Sequence, residues 1–92
     1  MSEEYFTIQV KKTEYTEDIN YLKLELFHAE CLGGKIEMEK VPRSNYTVWR
    51  FECKRCGETA NTVSHGFPAD LIRAAVNGEE TTFGRIKIIP KP

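Results

Sequence analysis

Four side chains of this 92-residue chain have the types and the spacing to do chemistry together. His28 and Cys31 stand two residues apart in "HAECLGG", Cys53 and Cys56 two apart in "CKRCG", and twenty-one residues separate Cys31 from Cys53. Imidazole nitrogen and thiolate sulfur are ligands that zinc takes, and a two-residue gap lets one tight turn hold two of them. Glycine stands close behind each pair, Gly33 and Gly34 after the first and Gly57 after the second. Such turns fold backbone N–H groups onto thiolate sulfur, which needs backbone angles that other residues resist. The two pairs predict a structural Cys3His site with His28, Cys31, Cys53 and Cys56 as ligands and Zn2+ as the ion.

The same letters admit an enzyme. H-x-E followed by C-x-x-C, met by His28, Glu30, Cys53 and Cys56, is similar to the signature of the cytidine deaminase-like family, although Glu52 stands where that family has proline. That resemblance implies three ligands, an open coordination position for hydroxide, and Glu30 as proton shuttle during attack on a nucleobase. Both halves of that signature open helices, whereas Gly33, Gly34 and the alternation over 35–41 break a helix after His28, and Gly57 breaks one after Cys56. Cys31 is also placed to fill the position that catalysis would leave open. His65, nine positions after Cys56, is a second candidate for the fourth ligand, but it has no partner at knuckle spacing and precedes Gly66.

Other cysteine chemistry fits less well. Three cysteines are an odd number, which suits metal ligation better than a disulfide framework. A thioredoxin-like CxxC needs a helix behind it, and the β-tending stretch 59–63 does not offer one. Iron is a weaker match than zinc for a Cys3His set.

The elements that position these ligands follow from the hydrophobic pattern. Period-two alternation marks strands at 6–10, 22–26 and 36–39, the second running straight into His28. The polar stretch 11–20 reads as a loop or a solvent-side hairpin connection. Pro42-Arg43-Ser44-Asn45 is a turn sequence, and the strand after it, 46–51, delivers Cys53. On that strand Trp49 and Phe51 share a face, which puts a large aromatic ring beside the metal. Strands follow at 59–63 and 85–89. A helix is predicted over 68–77, opened by Pro68 with Asp70 near its positive end, burying Leu71, Ile72, Ala75 and Val76, and stopped at Asn77-Gly78.

Strand, knuckle, hairpin, knuckle, strand over about 22–64 resembles the zinc-ribbon family, on the strength of "HAECLGGKI" and "FECKRCGE". His28 replaces a more usual cysteine, and Leu32 is inserted where glycine usually follows the second ligand. The resemblance implies an α+β fold: a zinc-ribbon antiparallel β-sheet with two zinc knuckles, extra N- and C-terminal strands and one helix, in a single domain spanning 1–92. It also implies a recognition module for nucleic acid or for a protein partner.

Composition is consistent with that size and use. Hydrophobic residues make up 40% and charged residues 29%, a globular mixture at a length where a metal staple helps a small core. The start lacks a basic segment followed by an apolar one, and no apolar run is long enough to span a bilayer, so a cytoplasmic protein is expected. Net charge is −1. Residues 41–57 nevertheless carry four basic side chains, Arg43, Arg50, Lys54 and Arg55, against one acidic, which is the nucleic-acid candidate surface. Lys35, Lys54 and Arg55 also serve to offset the charge of a three-thiolate zinc site. The protein-partner version places the contact around Trp49 or the edge strand 85–89.

Overall fold

Alternation of apolar and polar residues gives the sheet its two faces. The computed structural model describes residues 5–15 and 22–91. Seven strands, β1 (Phe6–Tyr15), β2 (Leu22–His28), β3 (Gly34–Pro42), β4 (Thr47–Cys53), β5 (Thr59–Ser64), β6 (Thr81–Phe83) and β7 (Ile86–Pro90), join in the order β5-β4-β3-β2-β1-β7-β6. The helix α1 (Ala69–Asn77) connects β5 to β6. Phe6, Ile8, Val10, Leu26, Ile36 and Phe51 lie on one face and are buried there. α1 packs over β1 and β7 on that face with Leu71 and Ala74. Gly78 takes a left-handed backbone (φ 70°) and ends the helix, its N–H turned back to the Ala74 carbonyl. Among the described residues no helix is long and apolar enough to cross a membrane.

The fold class expected from the sequence is overturned. The molecule is a β-rich half-barrel made from one curled, mixed sheet, not an α+β fold on an antiparallel zinc-ribbon sheet. The cause is the pairing of β1 with β7, which is parallel, with Phe6 opposite Ile86 and Ile8 opposite Ile88. That pairing sets aliphatic rows side by side and draws the β6–β7 hairpin into the same sheet. The terminal strands are thus half of the barrel wall, not additions to a ribbon.

Smaller corrections follow the same logic. β1 continues to Tyr15 where the polar stretch reads as a connection, because it pairs with β2 and shifts register between Lys12 and Glu14; residues 16–20 of that stretch lie outside the described ones. α1 buries Leu71 and Ala74 and half-buries Ala75, while Ile72 and Val76 face solvent. β6 carries no sequence signal beyond Thr81-Thr82 and is held by pairing with β7.

Candidate metal centre

The strand order puts both ligand pairs at one end of the sheet. β2 and β3 are neighbours, as are β3, β4 and β5, so the β2–β3 and β4–β5 turns emerge side by side. The first turn is a 3-10 turn over Ala29–Cys31, closed by the N–H of Leu32 to Ala29 and of Gly33 to His28. The second returns the N–H of Gly57 to the Cys53 carbonyl at 2.8 Å. A direct tie joins them, the Lys54 N–H to the Lys35 carbonyl at 2.8 Å.

Within this frame one ligand atom each from His28, Cys31, Cys53 and Cys56 lie within 4.8 Å of one another, a group that could hold a metal ion. His28 Nδ1 is 3.5 Å from the Cys56 sulfur. His28 and Cys53 point to the apolar face and are buried, Cys31 is half-buried and Cys56 is exposed. Phe6 stacks on the His28 ring, centroids 4.4 Å apart and planes 19° from parallel. This β1 ring is thus an aromatic neighbour of the site that the strand 46–51 does not supply; Phe51 is buried with Cys53 in the same core, and Trp49 lies farther along β4, its indole N–H donating to the Gly66 carbonyl.

The other imidazole nitrogen of His28 faces carboxylates. Nε2 is 3.2 Å from a Glu30 oxygen and 3.3 Å from one of Glu58, close enough for attraction although neither meets it with hydrogen-bond geometry. Carboxylates on the far side of a ligating imidazole fix its tautomer and its orientation. Glu30 is itself held by Thr7, whose backbone N–H donates at 2.7 Å and whose hydroxyl donates to the second oxygen. Partial burial alone would raise the Glu30 carboxyl, but these two bonds, with its own backbone and the nearby His28 ring, hold it below the usual carboxylate value. Glu58 in turn pairs with Arg85 at 3.0 Å.

The thiols are held unequally. Burial pushes the Cys53 thiol up, but the backbone N–H groups of Cys56 and Arg55, then the Cys56 and His28 side chains, favour its thiolate and lower it to about 7. Cys31 is raised to about 11 by desolvation and by the thiols of Cys56 and Cys53 against it. Thiolates this close repel each other, and a divalent cation among them removes that repulsion.

Gly34 and Leu32 show what the knuckles demand of the backbone. Gly34 shares the inward face with Ile36, between the two turns. A Cβ there would stand 2.9 Å from the Cys53 sulfur and 2.7 Å from Arg55 Cβ. Leu32 takes a left-handed backbone (φ 53°) with its side chain 85% exposed. An inserted leucine is accommodated because its side chain leaves the turn, at a cost of about 1 kcal/mol for a left-handed non-glycine residue. Leu32→Gly is expected to leave metal retention intact and to shift stability by between zero and about +1 kcal/mol, read by thermal melting; a destabilised variant would mean that the exposed side chain makes contacts.

The remaining candidates are dispersed. His65 follows β5 at the end of the sheet away from the cluster and is exposed. Arg43 sits in the β3–β4 turn, also at that far end, roughly 20 Å from Lys54 along a seven-residue strand. Arg50 is 3.8 Å from Glu52, and Lys54 is 3.3 Å from Glu52 and 3.7 Å from Glu37. The sequence reading missed Phe6, Thr7 and Glu58 as neighbours of the site, and gave Gly34 a turn role in place of the steric one it has. Only Gly34 left a signal, its inward parity with Ile36 beside a knuckle.

Comparison with protein-family models gives no match, and comparisons with curated proteins and with solved structures give none either.

Proposed function

We propose that the chain is a zinc-clipped recognition module, in which a sealed structural Zn2+ bound by His28, Cys31, Cys53 and Cys56 fastens two β-turns as zinc-ribbon knuckles do. The convergence of the four ligand atoms within 4.8 Å carries this reading. Zn–S and Zn–N bonds of about 2.3 and 2.0–2.1 Å at a tetrahedral angle put sulfur and nitrogen about 3.6 Å apart, and His28 Nδ1 lies 3.5 Å from the Cys56 sulfur. Three sulfurs and one nitrogen are a closed set for zinc.

The deaminase alternative has less support. Glu30 stands against Nε2 of His28, across the ring from the Nδ1 that faces the thiols, and both its oxygens accept from Thr7. It is a strut between β1 and the first knuckle rather than a base at an open vertex. A protein partner is favoured over nucleic acid for a similar geometric reason: the basic candidates do not form one patch, Arg43 being at the far end of the sheet from Lys54 and Arg55.

Zinc-edge absorption spectroscopy on the purified chain tests the ligand set, with three sulfurs and one nitrogen expected. Cys31→Ser should lower zinc retention and melting temperature together. Full retention in that variant, or an oxygen in the first shell of the parent, would overturn the sealed site.

A further inference from the structure

The half-barrel is open between β5 and β6, the two ends of the strand order. Residues 59–63 and 83–86 wall a groove of about 660 Å³. The backbone of β5 faces it. Cys53 donates its N–H to the Glu58 carbonyl, and bonded pairs alternate along an antiparallel ladder. Ala60, Thr62 and Ser64 therefore bond to β4, and Thr59, Asn61 and Val63 turn their N–H and C=O groups into the groove.

Sheet edges in stable monomers are blunted by charge, proline or bulges. β5, with the sequence TANTVS and an unshifted register, has none of these. Its inward residues are small where β4 opposite them carries Phe51 and Trp49, which leaves room for large side chains arriving from an added strand. Strand spacings of about 4.8, 10 and 3.3 Å amount to about 150 Å³ per residue, so the groove holds roughly four residues.

Two features define the occupant. The groove has a wall on each side, and the edge of a folded sheet would bring its own next strand into the β6 wall, whereas a lone segment would not. Arg85 is the charged residue of the walls, half-exposed and bound to Glu58 beside the start of β5. Arg85 meets Glu58 through Nη2, which leaves further guanidinium N–H groups for a second carboxylate, and a segment antiparallel to β5 has its C-terminal end there. We propose that the groove binds an extended segment of a protein partner as an eighth strand, antiparallel to β5 and parallel to β6, with alternate large apolar residues turned inward and a carboxylate on Arg85. This names the partner class for the recognition reading above and rests on it.

The test uses the full, zinc-loaded chain and a dye-labelled six-residue peptide that alternates valine and threonine and ends in glutamate, titrated by fluorescence anisotropy. Asn61→Pro removes a groove-facing N–H and leaves the β4 ladder intact, as edge positions tolerate proline. The parent is expected to bind with a Kd of roughly 10–100 µM, Asn61→Pro at least about tenfold more weakly, and Arg85→Ala about three- to fivefold more weakly, since an exposed charge pair contributes little. In the parent, peptide should slow amide exchange at Asn61 and Val63, a readout that does not depend on any variant folding. No binding at about 1 mM peptide, equal binding by a folded Asn61→Pro, or protection confined to other strands would overturn the proposal. So would a dimer of the parent that Asn61→Pro abolishes, because the edge would then pair two copies. Zinc content is measured alongside: peptide failure at one zinc per chain sinks the groove and leaves the clip, and a zinc-free chain sinks the clip.

Discussion

Cys53→Ser is expected to abolish metal retention and to destabilise the chain by on the order of 4 kcal/mol, the range reached when a structural metal is lost. At about 4–8 °C per kcal/mol for a domain of this size, the melting temperature falls by roughly 16–32 °C. Cys53 is the member of the cluster with most at stake. It is fully buried on the apolar face, its sulfur accepts from the Arg55 and Cys56 backbone, and it ends the strand that carries Trp49 and Phe51. A serine hydroxyl keeps its proton at neutral pH, so it neither replaces the thiolate nor repays the desolvation of those N–H groups. Cys31 and Cys56 are more exposed, so their serine variants should lose less. The measurement is thermal melting with metal analysis on the same samples, next to parent protein treated with a chelator. Parent and Cys53→Ser should melt close together once the parent is stripped. A Cys53→Ser chain that keeps one ion, or melts within a few degrees of the loaded parent, would show that the ion does not hold the fold.

The candidate metal centre sits at the part of the half-barrel away from the main helix contacts. α1 covers β1 and β7, leaving the β3–β5 end of the apolar face without a helix over the knuckles. There the buried layer is Ile36, Trp49, Phe51, Cys53 and Ala60, with Met38 packed against it. A small domain buries a limited fraction of its surface, and an ion shared by the β2–β3 and β4–β5 turns would fix the strands that the helix does not reach. The carboxylates extend the clip sideways, Glu30 to Thr7 of β1 and Glu58 to Arg85 ahead of β7. Both halves of the sheet are thereby tied to His28.

Legibility in the sequence divides along range. The strand faces through His28 and Phe51, the turn at Pro42 and the helix stop at Gly78 follow from neighbours a few residues apart, and so does the gathering of four ligands, since each knuckle is local and one hairpin brings the two together. The mixed sheet was not legible. Parallel pairing of β1 with β7 joins residues about eighty positions apart, and Phe6 and Ile86 would read the same in an antiparallel pair or in separate sheets. Phe6 on His28 and Thr7 on Glu30 depend on that distant register for the same reason. α1 was found and its buried side in part: Leu71 and Ala75 pack on the core as expected, but Ala74 replaces Ile72 and Val76 there, because Leu71 with Ala74 and Leu71 with Ala75 are both helical spacings and the position of β1 and β7 beneath it chose the face.

Gly34→Ala is expected to damage the metal centre almost as much as loss of a ligand, although position 34 supplies no ligand atom. Glycines near the knuckles have two different duties. Gly33 and Gly57 have φ of 81° and 80° with nothing within 4 Å of an added Cβ, so they serve the turn. Gly34 lies outside the left-handed region, and its duty is space. On the inward face between β2 and β4, an alanine methyl would press to 2.9 Å from the Cys53 sulfur and 2.7 Å from Arg55 Cβ, separations that real side chains do not sustain. Neither neighbour yields easily, because both belong to the second knuckle, whose N–H groups surround that sulfur. Either the sulfur leaves its place or β3 moves away from β4. Overpacking of this kind costs typically 1–3 kcal/mol, and displaced sulfur adds the loss of the ion. A fall of on the order of 3 kcal/mol, or roughly 12–24 °C, with zinc retention reduced at least about tenfold, is the expected outcome. Gly33→Ala is the control: it strains a left-handed residue by about 1 kcal/mol and should keep its zinc. Retention in Gly34→Ala equal to that in Gly33→Ala would mean that the space beside Cys53 is not where the ion is held.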